Sequence, residues 1–193
     1  MRTIRFAEIV AIIRSAMHRR VARMPIPPPL NGIIRYESLE LICLHEAGHA
    51  AIGITLGARV TEMELYLTPA PGHGRTQVRR TDAQSKTIAL GGFAVERRLW
   101  EDNRLMLPNG VKPTEKEMIG RSLTNANKDQ IAYFGQDFRQ ADGSWPEEMD
   151  LEFMECAQAW GRRIDVSLVE RIAGALLVEA QLDEARIEEI VRA

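Results

Sequence analysis

The stretch Leu44-His45-Glu46-Ala47-Gly48-His49-Ala50 reads H-E-x-x-H inside an apolar segment that runs from Ser38 to Leu56. On an α-helix, residues four apart lie one above the other on one face, so His45 and His49 present two imidazoles side by side. Such a pair fills two sites of a tetrahedral Zn2+, and Glu46 then sits beside the metal, where a general base for its water belongs. The plain alternative is a helix that happens to carry two histidines, since the motif fixes only three positions. A catalytic zinc takes three protein ligands and leaves the fourth position to water, so a third ligand must come from elsewhere. No histidine follows His73, which disfavours a second histidine motif and leaves a carboxylate. The downstream acids are many, and periodicity does not choose among them.

These side chains need a helix to carry them and a wall to face. Gly57 is placed to cap the motif helix at its C-terminus. Gly48 and Gly53 lie inside it and cost roughly 1 kcal/mol each relative to Ala, which suits a helix that another element approaches closely. After it, Met63, Leu65 and Leu67 alternate with Glu62, Glu64 and Tyr66, the pattern of a half-buried strand over Val60 to Thr68. Pro69 to Gly74 is a turn cluster holding His73, and Arg75 to Arg80 can return as a second strand. This hairpin is the expected cleft wall, with Tyr66, Thr76 and Val78 as the residues that would meet a polypeptide bound along a strand edge. Tyr66 and Tyr133 are also conceivable oxyanion donors, against plainer core or surface roles.

The rest of the chain reads as helices. One helix is expected over Asp82 to Trp100, with Gly91, Gly92 and Ala94 allowing close approach to another. A further helix starts at Thr114 with Glu117 as its capping-box partner, pauses near Ser122 to Asn125, and resumes through Asp129 and Phe134. A polar loop spans Gln136 to Pro146, and three helices follow at Glu147 to Ile164, Asp165 to Ala180 and Asp183 to Arg192. The fold class is mainly α, of α+β type: a helical domain with a small β-hairpin or sheet beside the H-E-x-x-H helix.

Bulk properties bound the function. The chain has 193 residues, 45% of them hydrophobic and 27% charged, an ordinary globular composition. A formal net charge of -2 gives no global field to recruit nucleic acid, and none is expected as a partner. No phosphate-binding P-loop motif is present. No apolar run reaches the roughly 18–20 residues of a membrane-spanning helix. Cys43 and Cys156 form no C-x-x-C pattern, which fits a reduced cytosolic setting, and Cys43 is expected in the core.

Residues 1–24 form a separate unit. Phe6, Ile9, Val10, Ile13, Met17, Val21 and Met24 recur at helical spacing, and the arginines lie mostly off that face. Such a basic amphipathic helix can pack on its own domain, pair with a partner or a second copy, or lie on an anionic membrane surface. Residues 25–35, opening on Pro25-Ile26-Pro27-Pro28-Pro29, form a stiff extended linker to a domain at 36–193.

Three segments together carry a family resemblance. His45-Glu46-Ala47-Gly48-His49-Ala50, Leu90-Gly91-Gly92-Phe93-Ala94-Val95-Glu96 and Thr124-Asn125-Ala126-Asn127-Lys128-Asp129-Gln130-Ile131 follow in the order and spacing of the FtsH-type zinc metallopeptidases. The chain's end, Ile172 to Leu182 and then Ile187 to Val191, is similar to that family's closing helices. The resemblance covers Tyr36 to Ala193. It implies zinc held by His45, His49 and Asp129, with Glu46 as the base and Glu96 hydrogen-bonding a ligand or a neighbouring helix. The chain departs from the family at Lys128, which stands inside what is usually a compact Asn-Asp pair.

The family's usual members carry transmembrane helices and an ATPase module before the peptidase, whereas here only residues 1–24 and the proline segment precede it. The expectation is therefore a stand-alone, ATP-independent metalloendopeptidase that cuts unfolded or flexible polypeptides, unless a separate ATPase feeds it. The family's rings make a homo-oligomer a further expectation, and the setting is cytoplasmic, with membrane-surface contact one of the options open to residues 1–24. Two other readings stay open. One is a non-cleaving module of the same fold that binds peptides or an ATPase. The other is a regulatory H-E-x-x-H peptidase of the repressor-cleaving ImmA type, which gives no reason for the L-G-G-x-A-x-E segment.

Overall fold

The computed structural model of the protein describes residues 25–68 and 72–193, so the basic helix expected over residues 1–24 and the tip of the turn at 69–71 lie outside the described residues. Helix α1, Leu39–Thr55, is the centre of the fold. Ser38 caps it by accepting the Leu41 N–H at 3.2 Å. It ends where Gly57 takes a left-handed φ of 73°, as the sequence predicts. Its buried residues, among them Leu41, Leu44, Ala47, Ala51 and Ile52, cover more than one face. A helix apolar on several sides must be enclosed on several sides, and here a sheet and two helices enclose it.

The sheet is the expected hairpin plus one strand. Strand β2, to be distinguished from the short β1 at Ile34–Arg35, runs Arg59–Tyr66 and pairs antiparallel with β3, His73–Arg79. The sheet order is β3-β2-β5, with β5 at Gln181–Asp183. A bulge between Val60 and Glu62 shifts the register. It turns both Val60 and Met63 inward, although strict alternation would put residues three apart on opposite faces. Leu67, expected to continue the buried set, lies past the end of β2 and is 60% exposed. The returning strand also starts earlier than expected, at His73. β1 pairs in parallel with β4, Leu105–Met106. β1, β4 and β5 are two or three residues long, too short to leave a periodic signal.

The single helix expected over Asp82 to Trp100 is two: α2, Asp82–Ala89, and α3, Gly91–Glu101, which part at Leu90. α4, Glu115–Asn125, carries the expected Thr114–Glu117 capping box, and α5, Asn127–Phe134, begins after a break at Ala126. The chain closes with α6, Glu147–Gly161, α7, Val166–Glu179, and α8, Glu184–Arg192. The architecture is mainly helical with a small sheet, the α+β class expected. Among the described residues no helix is long and apolar enough to cross a membrane.

Two apolar clusters hold these parts. The larger joins α1, the sheet, α7 and α8 through fully buried Leu44, Ile52, Met63, Ile172, Leu176 and Ile190. The smaller, with Leu90, Phe93, Ala126, Phe153 and Ala157, ties α3 to α6 and to the start of α5. The proline segment lies along the domain. The Leu30 N–H donates to the Glu170 carbonyl at 3.1 Å, and Arg104 reaches the Leu30 carbonyl at 2.9 Å.

α1 and α3 meet backbone to backbone. A Cβ on Gly48 would lie 2.3 Å from the Gly91 carbonyl oxygen, and one on Gly91 would lie 2.4 Å from the His49 nitrogen. Neither neighbour is a flexible side-chain end, so the helices would have to separate. Gly48→Ala is therefore expected to destabilise the fold by about 1–3 kcal/mol despite alanine's better helix propensity, read as a lowered urea midpoint at unchanged m-value.

Candidate metal centre

His45 and His49 project from α1 towards α3 and α5, and each ring is fixed through Nδ1. His45 Nδ1 lies 2.9 Å from Glu96 Oε1, on α3. His49 Nδ1 lies 2.8 Å from the Ile88 carbonyl, at the end of α2 where the chain breaks. A carbonyl or carboxylate oxygen only accepts, so both Nδ1 atoms donate and both Nε2 atoms face the space between the rings. The rings are 5.0 Å apart and cross at 70°.

Asp129 enters from the first turn of α5. Its Oδ2 lies 3.1 Å from His45 Nε2 and 3.4 Å from His49 Nε2. His45, His49 and Asp129 each offer one ligand atom, all within 4.8 Å of one another. Two imidazole nitrogens with committed Nδ1 protons and one carboxylate oxygen are a donor set that suits a divalent transition metal. The three residues are thus close enough, and of the right chemistry, to hold a metal ion.

Charge is concentrated here. Burial pulls the His45 pKa down, but the Asp129 and Glu96 carboxylates on its two nitrogens outweigh that and leave it well above the ordinary value. His49 is raised for the same reason, burial being outweighed chiefly by Asp129. Burial alone would push the Asp129 carboxyl up; the two imidazoles hold it far below the usual carboxylate range instead.

Glu96 is fully buried and meets three donors. It takes His45 Nδ1–H on Oε1, the Ser122 hydroxyl on Oε2 at 2.6 Å, and the Asn125 amide at 3.2 Å. Having given its proton to Glu96, Ser122 accepts from the Tyr36 hydroxyl at 3.3 Å. Burial, partly offset by that bond to Ser122, pushes the Tyr36 pKa up to about 12, so its hydroxyl stays a donor. The sequence pointed to Glu96 but not to Ser122 or Tyr36. A buried serine or tyrosine hydroxyl looks like any other in the sequence.

Glu46 faces the hairpin. The Thr76 hydroxyl lies 2.6 Å from its Oε2 and 3.1 Å from its main-chain oxygen. Gly74 makes room for it: a Cβ there would stand 2.3 Å from Glu46 Cγ. Of the hairpin residues singled out, Thr76 thus turns to the motif helix and holds Glu46. Val78 packs towards α1, 3.4 Å from where a Cβ on Gly53 would lie. Tyr66 donates its hydroxyl to Glu64 at 2.5 Å and stacks on His73, ring centroids 4.6 Å apart. Tyr133 is directed to α6, where its hydroxyl bonds Glu152 at 3.0 Å. Cys43 is fully buried in the core, as expected.

An open cleft crosses the three-residue group. One lobe of about 900 Å3 is lined by Tyr36, Leu41, Ile42, His45 and Arg121. A second, of about 520 Å3, is lined by His49, Tyr66, Thr76, Val78 and Arg80. Glu46, His73, Gly74, Lys128 and Asp129 border both. No protein-family model matches the chain, and a search of curated proteins finds no match.

Replacing Glu96 with Gln keeps its volume but puts an NH2 group against donors. Glu96→Gln is expected to retain the helical circular dichroism spectrum and weaken divalent metal binding by about 10–100-fold, measured by competition with a chromogenic chelator.

Proposed function

We propose that the protein is a zinc metalloendopeptidase that hydrolyses peptide bonds in unfolded or flexible polypeptides. The observation that carries this reading is the convergence of His45 Nε2, His49 Nε2 and Asp129 Oδ2 in the lining of an open cleft that Glu46 also lines. The order and spacing of the H-E-x-x-H, L-G-G-x-A-x-E and Asn125–Asp129 segments, which resemble those of FtsH-type peptidases, support it.

His45, His49 and Asp129 would hold the zinc, with Glu96 and the Ile88 carbonyl fixing the two rings. Zinc bound there would supply Lewis-acid chemistry, acidifying a water and polarising the scissile carbonyl. Glu46 takes the proton from the attacking water and returns it to the leaving amine. Thr76 occupies Oε2 of that carboxylate, while Oε1 has no hydrogen-bond partner among the described residues and is open to the proton. The cleft extends on both sides of this group, which suits cleavage within a chain rather than at its end. It is open to solvent and bordered by one strand edge, so it suits a segment that is already extended.

Glu46→Gln is expected to bind one zinc per chain like the wild type and to lose about 10^2–10^4-fold in the cleavage rate of an unfolded test protein such as casein. Unchanged cleavage would remove Glu46 from the mechanism. Stripping the wild type with a chelator should abolish cleavage, and added Zn2+ should restore it.

A further inference from the structure

The two lobes of the cleft differ in how their cations are engaged. In the larger lobe Arg121 is paired with Glu37 at 3.4 Å and lies over the Tyr36 ring at 5.4 Å. The smaller lobe is lined by three cations: Arg75 and Arg80, which line it alone, and Lys128, at the border with the larger lobe. Arg80 is exposed and, among the described residues, bonds only the Ser85 hydroxyl and the Val78 carbonyl, at 3.0 and 3.2 Å. Lys128 is exposed and has no hydrogen-bond or ion-pair partner among the described residues. Arg75 is more than half exposed and has one long contact, 3.5 Å, with Glu64, whose Oε2 also takes the Tyr66 hydroxyl at 2.5 Å. The two carboxylates in this lobe, Glu46 and Asp129, are bound to Thr76 and to the histidines.

We infer that the smaller lobe selects acidic side chains of the polypeptide, with Arg80 and Lys128 as its specificity-determining residues. Both cations line the same lobe as Glu46 and Asp129, Arg80 one residue past β3 and Lys128 in the first turn of α5, so a segment entering the lobe beside Glu46 meets them. Cations without protein counter-ions, set around a concave surface, attract a carboxylate at little reorganisation cost. Apart from Lys128 at the shared border, the larger lobe offers only Arg121, which Glu37 already pairs, so Arg80 is what sets the smaller lobe apart. The preference is therefore one-sided: acids count on one side of the scissile bond and not on the other. This inference rests on the reading of the cleft as a polypeptide site.

The test uses fluorescent ten-residue peptides of Gly, Ser and Ala around one central Leu, carrying two Glu, two Gln or two Lys on either the N-terminal or the C-terminal side. Binding to zinc-loaded wild type is read by anisotropy, and cleavage separately by chromatography. At low salt one Glu-bearing peptide is expected to bind about tenfold more tightly than its Gln counterpart, with the Lys peptide weakest and the advantage shrinking as salt rises. R80Q, K128Q and the double variant should bring the Glu-to-Gln affinity ratio towards one. Equal binding of the Glu and Gln peptides, no binding of any peptide, an equal preference on both sides, or a ratio untouched by the double variant would each overturn the inference. Peptides bound with the expected ratio but never cut would overturn the peptidase reading alone. Peptides cut without preference would overturn the selectivity alone.

Discussion

Gly48 and Gly91 bring the backbones of α1 and α3 into contact, and the candidate site depends on that approach. With α3 this close, Glu96 on its second turn reaches His45 from below. The same constraint shapes α2: the chain parts at Leu90, and the Ile88 carbonyl turns to His49. Both rings are thereby held through Nδ1 by groups from one neighbouring segment. Gly92 adds to this, since a Cβ there would lie 2.1 Å from His45 Nε2. Small residues at these positions cost helix propensity in exchange for the distance at which an imidazole fits between two helices.

Glu96 is the second element of the arrangement. A fully buried carboxyl group costs free energy unless its oxygens are hydrogen-bonded, and Glu96 has donors in His45, Ser122 and Asn125. Tyr36 extends the chain of donors to the segment after β1. Four parts of the fold thus meet on one carboxylate. Thr76 plays a matching role for Glu46 from the sheet, so the two motif residues at 45 and 46 are oriented from opposite sides.

Much of this was legible in the residues themselves. The motif helix, its Ser38 and Gly57 boundaries, the hairpin and the Thr114–Glu117 cap all follow from local chemistry that acts within a few residues. Gly91 and Gly92 announce close approach, and the break at Leu90 does not follow from them, because the partner that Gly91 meets, Gly48, lies 43 residues away in sequence. The bulge at Val60–Glu62 is similar: alternation describes a regular strand, and the pull of the core on both Val60 and Met63 decides the irregular one. Asp129 could not be chosen from many acids by periodicity, and the resemblance that selected it carried an extra Lys128. Tyr36 and Ser122 gave no signal, since hydroxyls that serve a distant carboxylate have no characteristic spacing.

The interruption at Ala126 has a consequence for how such a chain can change. α4 ends there with Asn125 attached to Glu96, and α5 restarts with Asp129 beside the histidines. Inside one continuous helix, an added residue would swing everything after it by about 100° and carry the aspartate out of reach. At a joint between two helices the added residue alters only the joint, and the second helix keeps its bearing because Ala126 and Phe134 pack in the smaller apolar cluster. Lys128 stands just past that joint, in the first turn of α5. Descendants of this chain could gain or lose a residue at the joint, and acquire a new side chain at the mouth of the cleft, without rebuilding the centre beneath it.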